Sequence, residues 1–260
     1  MDFLKKQNKI EFFIPNSVAA ENYPILTVKD YKLDWVKRAR SSLEKARIDG
    51  RFNNPGFTHL ARCPGIFELL RYGYVVQTHR DILISPNETG FEWAVAGLGE
   101  GSCNVSDGYN GGVGQAIDIL SRVEWPLPYP PNVFTYIIKI QTEWNVVTPK
   151  NIKLLIIPLP YPDEFEIMAS SGILDPSIST QVNFQGYIFK TNKNIILKAG
   201  TPLQMVIPLT EKKYEMVQRE ATERDVRWIM KSAGAGNSTF WPIESWNVIK
   251  KMYQRYWLKG

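Results

Sequence analysis

The alternation of apolar and polar positions divides the chain into a strand-rich middle and two helical ends. Ile10-Glu11-Phe12-Phe13-Ile14 reads as a short strand stopped by Pro15. Over 29–47 the positions Trp35, Val36, Ala39, Leu43 and Ala46 recur at helical spacing. Lys32, Lys37, Arg38, Arg40, Lys45 and Arg47 fill the opposite face of that predicted helix, which reads as solvated or as a docking face for an acidic protein or a phosphate backbone. Residues 49–58 have the Gly, Asn and Pro chemistry of a loop. A short helix over 64–71 follows, with proline in its first turn and Gly73 beyond its end.

From residue 74 the period changes from helical to alternating. Tyr74-Val75-Val76-Gln77-Thr78 and Asp81-Ile82-Leu83-Ile84-Ser85 are two predicted strands separated by His79-Arg80. A hairpin turn at Pro86-Asn87-Glu88-Thr89-Gly90 leads into a third strand over 91–96. The Gly-rich stretch 97–114 reads as a long loop, and the proline-rich stretch 126–131 as a rigid extended spacer. Strands are predicted over 133–141, 144–149, 152–157, 165–169, 182–189, 195–198 and 203–209. The segment 152–157 is nearly all apolar, which requires cover on both faces. Turn signals every 8–12 residues are the spacing of a sandwich or barrel. The end returns to helix over 214–230 and 242–258. The last helix carries Trp246, Tyr253 and Trp257 in an aromatic stripe, read either as a clamp on the core or as an interface. The expected architecture is α+β: a central antiparallel β-sandwich or distorted barrel over 72–210. An N-terminal strand and helices (1–71) pack on it, and C-terminal helices (211–260) complete it.

Composition narrows the class without naming a reaction. Of 260 residues, 44% are hydrophobic and 22% charged, which excludes wholesale disorder. No apolar run approaches the length of a membrane helix, so no membrane partner is expected. The two cysteines, Cys63 and Cys103, read as unpaired thiols of a reducing compartment and exclude a four-cysteine zinc site. The first residues lack the apolar stretch of a secretory signal. A net charge of +5 admits an anionic partner such as nucleic acid without making it the preferred one.

Motifs for chemistry are sparse. His79-Arg80-Asp81 has the spacing that opens a two-His, one-carboxylate iron site, but the only other histidine, His59, lies upstream, so no metal is expected. No nucleophile elbow is present. Gly97-Leu98-Gly99-Glu100-Gly101 has the wrong glycine spacing for a dinucleotide fingerprint, and no cofactor is expected. Polar groups that would line a ligand site in the mouth of the β domain are His79, Asp81, Trp144, Asp175, Asn183 and Gln204.

Ser171-Gly172-Ile173-Leu174-Asp175, the strand Gln181-Val182-Asn183-Phe184-Gln185-Gly186-Tyr187-Ile188 and the segment Gly200-Thr201-Pro202-Leu203-Gln204 together resemble the distal half of the dUTPase and dCTP-deaminase fold. The resemblance implies shared β architecture, with Asp175 in the position that holds nucleotide or water. The Tyr-Arg-Gly and Arg-Ser-Gly motifs of those enzymes are absent. Taken with Cys63-Pro64, Gly73-Tyr74-Val75-Val76, Trp144 and Thr148-Pro149, the same marks also resemble a family of uncharacterised β-rich proteins of bacteria and tailed phages, cyanophages included. That resemblance implies a phage-encoded protein of the host cytoplasm or virion. The expected role is non-enzymatic, structural or interacting, with copies of itself as a homo-oligomer or with other phage proteins. The alternative is a small-ligand binder, nucleotide first, or an enzyme using the β-domain mouth.

Overall fold

The structure, a computed structural model, describes residues 9–15, 17–54, 58–104, 117–119, 130–161, 166–238 and 251. In chain order the elements are β1 (Lys9–Ile14), α1 (Ser17–Asn22), β2 (Leu26–Thr27), α2 (Val28–Tyr31) and α3 (Asp34–Ile48). Single 3-10 turns at Arg51–Asn53 and Leu60–Arg62 precede α4 (Pro64–Tyr72). The strands β3 (Tyr74–Gln77), β4 (Ile82–Asn87), β5 (Gly90–Val95), β6 (Gly99–Asn104), β7 (Ile117–Ile119), β8 (Val133–Ile140), β9 (Asn145–Val147) and β10 (Leu154–Ile157) follow. Then come β11 (Ile167–Ala169), β12 (Gly172–Leu174), β13 (Phe184–Phe189), β14 (Ile195–Leu197), β15 (Pro202–Pro208), β16 (Glu215–Glu220) and α5 (Glu223–Ser238). Among these residues no helix is long and apolar enough to cross a membrane.

The strands form four sheets, ordered β16-β1-β9, β12-β10-β15-β3-β2, β11-β13-β8-β7 and β14-β4-β5-β6. The fold is α+β, as expected, and no barrel closes among the described residues. Strand periodicity explains how the sheets stack. Tyr136, Ile138 and Ile140 alternate on β8 and face Ile84, Phe91 and Val95 of the β4–β5 hairpin in one core. The central strands of the five-stranded sheet are covered on both faces. Val76, Leu154, Ile156 and Val206 face a second core with Phe12 and Trp144, while Val75, Ile157 and Met205 face a third under the helices. This is the two-sided cover that the apolar run at 152–157 demands. Trp35 and Leu33 anchor α3 into that third core. Cys63 is exposed and Cys103 buried, and no disulfide joins them.

Three expectations change. The helix predicted over 29–47 is two helices. Thr27 caps α2 by accepting from the Asp30 N–H, and Lys32 takes a left-handed conformation (φ 56°) that ends it before α3 begins. The Gly-rich loop begins as a strand, β6, in register with β5. Gly101 stands opposite Trp93, where a Cβ would sit 2.8 Å from the indole ring, so glycine is what lets the strand pair there. The helix predicted over 214–230 begins as β16, which pairs in parallel with β1 from Lys9↔Glu215 to Ile14↔Glu220. The edge of β1 needs a partner for its backbone groups, and this tertiary demand outweighs local pattern. Helix begins only at Glu223, after Thr222 and Asp225 cap each other: the Asp225 N–H donates to Thr222 Oγ1 and the Thr222 N–H to Asp225 Oδ2. The segments 1–71, 72–210 and 211–260 each contribute a strand to one sheet, as β1, β9 and β16. The helix expected over 242–258 and nearly all of the spacer over 126–131 lie outside the described residues.

One guanidinium joins the ends of the chain. Arg219 on β16 donates to Glu11 on β1 (3.0 Å) and, through both terminal nitrogens, to the fully buried carboxylate of Asp225 on α5. It also lies 5.0 Å from the centre of the Phe13 ring. Burial alone would push the Asp225 carboxyl up, but hydrogen bonds from Arg219 and Thr222 outweigh it and hold the group below the ordinary aspartate range. A depressed carboxyl adds stability above its unfolded value and loses it as pH falls through its folded value. Asp225→Ala is expected to lower the unfolding free energy by about 3 kcal/mol at pH 7, as the loss of one partner of a buried pair does. Urea titrations stepped from pH 7 to pH 3 should show the difference shrinking with acid; a difference that is constant with pH refutes the clamp.

Candidate functional site

The polar groups most tightly gathered beside a cleft lie where β3 hands over to β4 and β8 to β9. Thr78 is locked first: its N–H donates to the Thr201 carbonyl, its carbonyl accepts from Gly200, and its hydroxyl donates to the Lys198 carbonyl. That lock fixes the next residue, His79, whose side chain is only 6% exposed. Across from it, Glu143 takes a left-handed backbone (φ 58°) between β8 and β9. The Thr142 hydroxyl donates to the Val182 carbonyl and the Asn145 amide to the Glu143 carbonyl, which steadies this turn from both sides. The result brings His79 Nε2 to 3.4 Å from Glu143 Oε1.

Arg80 completes the group. Its Nε lies 3.2 Å from His79 Nε2, and its terminal nitrogens reach the Ala96 carbonyl (3.2 Å) and Glu143 (3.9 Å). Gly97, at φ 76°, follows that carbonyl, and a Cβ there would come within 3.0 Å of the guanidinium. His79 Nε2 has two incompatible partners. Unprotonated, it accepts from Arg80; carrying a proton, it donates to Glu143. The hydrogen bond with His79 holds the Glu143 carboxyl below the ordinary glutamate range, against the opposing effect of burial.

Thr78, His79, Arg80, Leu98, Gln141 and Thr142 line the adjoining cleft, whose free volume is about 20 Å³. That accommodates about one water molecule and no nucleotide. Chemically the arrangement is a charged lock between two connections, in which the tautomer of one histidine decides its partner. A second concavity of about 420 Å³ crosses the outer surface of β4, β5 and β6, lined by Leu83, Ser85, Glu92, Ala94, Glu100 and Ser102 among others. It is an open sheet face with two carboxylates.

Of the six residues expected at a ligand site, only His79 lines the cleft. Asp81 faces the other way, accepting from Lys198 Nζ and the Ala199 N–H at 2.8 Å each. Trp144 is fully buried in the second core. Asp175 serves its own turn, accepting from the Ser177 N–H and hydroxyl, with Lys153 at 3.7 Å. Asn183 donates to Gln181, and Gln204, fully buried, donates to the Asn183 carbonyl. Asn183 and Gln204 thus meet each other, but not His79 or Asp175. The interface candidates Trp246, Tyr253 and Trp257 lie outside the described residues. Glu143 carries no sequence signal, because its role arises from a backbone turn and a contact 64 positions away in the chain. Among the described residues no cluster of three or more His, Cys, Asp or Glu could hold a metal ion. No family model, no curated protein and no solved structure matches the chain.

Glu143→Gln is expected to cost about 1 kcal/mol at pH 7, the scale of a charged hydrogen bond in a partly open site. Because the carboxyl is depressed in the fold, that cost should vanish as pH falls through its folded value. Denaturant midpoints of both proteins at pH 7 and pH 3 check this, and equal midpoints at pH 7 refute the lock.

Proposed function

We propose that the chain is a non-enzymatic structural or interaction protein, of the kind tailed phages encode, that assembles with copies of itself. The observation that carries this reading is an unprotected sheet edge. Among the described residues β12 pairs only with β10, bears no charged residue and exposes Ile173 at 63%. A Cβ placed on Gly172 would meet none of the described residues within 4 Å. β14 repeats the pattern on another sheet, pairing among the described residues only with β4 and exposing Ile196 at 57%. Unpaired edges offer rows of N–H and C=O groups to another strand, and soluble proteins usually blunt them with charge. An edge that pairs with its own copy across a two-fold axis satisfies these groups and covers the isoleucine in one step. The phage attribution, with residence in host cytoplasm or virion, rests on the short motifs shared with that β-rich family.

The second reading, a small-ligand protein or enzyme using the β-domain mouth, draws on the resemblance of the Asp175 turn to the nucleotide-binding fold. The narrow cleft and the engagement of Asp175 within its own turn give it less support. One sample tests both. Light scattering with native mass spectrometry should give a defined oligomer of bare chains, and Ile173→Lys should dissociate it without changing the circular dichroism spectrum. A monomer at about 100 µM overturns the assembly reading, and a retained nucleotide favours the second.

A further inference from the structure

The charge of the molecule is concentrated in one layer. Residues 29–71 hold ten Lys and Arg against five Asp and Glu, whereas the other 217 residues hold 21 of each. The whole excess of +5 therefore lies in the segment that folds as α2, α3, the 3-10 turns and α4. The inner side of this layer is committed to the third core through Val28, Leu33 and Trp35. Four of its acids have a basic neighbour: Asp34 with Lys37 and Asp49 with Arg51 at 2.9 Å, Glu68 with Arg71 at 3.7 Å and Glu44 with Arg47 at 3.8 Å. All four pairs are exposed and weak.

The outer face interleaves these cations with rings. Arg38, Ser42 and Lys45 follow one another at helical spacing and form one stripe along α3. His59 Nε2 lies 3.3 Å from Ser42 Oγ, which seats the 3-10 turns against that stripe. There the guanidinium of Arg62 stacks 4.8 Å above the ring of Phe52, and on α4 that of Arg71 lies 5.6 Å from the ring of Tyr72. Phe52 is 37% exposed and Phe67, one turn before Arg71, 43%. An acidic protein surface would use the cations and leave the rings without a role. A duplex keeps its base faces closed within the stack. A single strand uses both sets, with phosphates on the cations and unstacked bases on the rings and on arginine planes.

We propose that this outer face binds single-stranded nucleic acid. Arg38, Lys45 and Arg62 take the phosphates, and Phe52 and Phe67 take bases. The inference stands apart from the self-assembly reading, because it uses neither sheet edge.

The test is fluorescence anisotropy of a labelled 20-nucleotide oligo-dT titrated with the full chain. For three phosphate contacts, affinity should fall roughly 20-fold between 50 and 200 mM NaCl, and the double variant R38E/K45E should bind at least about tenfold more weakly. Phe52→Ala and Phe67→Ala should each weaken binding by about fivefold or more while leaving the salt slope unchanged. The charge-reversed side chains are solvent-exposed, and thermal melts of each variant check the fold. Three results would overturn the proposal. One is no binding at 50 mM NaCl. Another is binding indifferent to R38E/K45E. The last is competition by duplex DNA or polyglutamate as strong as by oligo-dT, with both ring variants unchanged, which would assign the face to polyanions or acidic proteins in general.

Discussion

The guanidinium of Arg219 sits where the first strand, the last strand and the following helix meet, and the rest of the architecture leans on that junction. β1 is the middle strand of its sheet and joins β9 to β16. Its inward residues Ile10, Phe12 and Ile14 build the second core, which in turn covers one face of the five-stranded sheet. A parallel pair has no tight turn to set its register and is slightly weaker per residue than an antiparallel one. The bonds from Arg219 to Glu11 and Asp225 supply what a turn would otherwise provide: a fixed alignment of two strands and a fixed start for the helix. Electrostatics here does the work of chain connectivity.

Where apolar alternation is strong, the sequence and the fold agree closely. β3, β4, β5, β8, β13 and β15 fall within a residue or two of their predicted spans, because each presents β-branched or aromatic residues to a single core or to two. The disagreements share a physical cause. β16 reads Glu-Met-Val-Gln-Arg-Glu, a pattern that either period tolerates, and only the unpaired edge of β1 decides between them. β6 reads as a glycine loop because the reason for Gly101 is the Trp93 ring on the neighbouring strand. In each case the deciding contact comes from another segment of chain.

The candidate site divides in the same way. His79 was legible as a polar residue between two strands, yet its partner Glu143 was not, since the left-handed turn that presents it leaves no local mark. Asp175, Asn183 and Gln204 stood out as polar groups in a β region, and the structure uses them to satisfy turns and backbone carbonyls. Polar residues in a small sheet protein often serve such internal needs, because each sheet end leaves backbone groups to be paired. The basic helix face was visible from the start. What local spacing could not convey is that the 3-10 turns fold back and set exposed rings among its cations.

The pairing of Lys9 with Glu215 also dictates an order of events during synthesis. At about 5–20 residues per second, β1 leaves the ribosome roughly 10 to 40 seconds before its parallel partner has been made. Throughout that interval Phe12, Phe13 and their isoleucine neighbours have no completed sheet to enter. The hairpins of the middle can form as they emerge, since their contacts are local. β1 is thus among the last strands to be secured, and the nascent chain spends most of its synthesis with these aromatic and isoleucine side chains waiting for a partner not yet made.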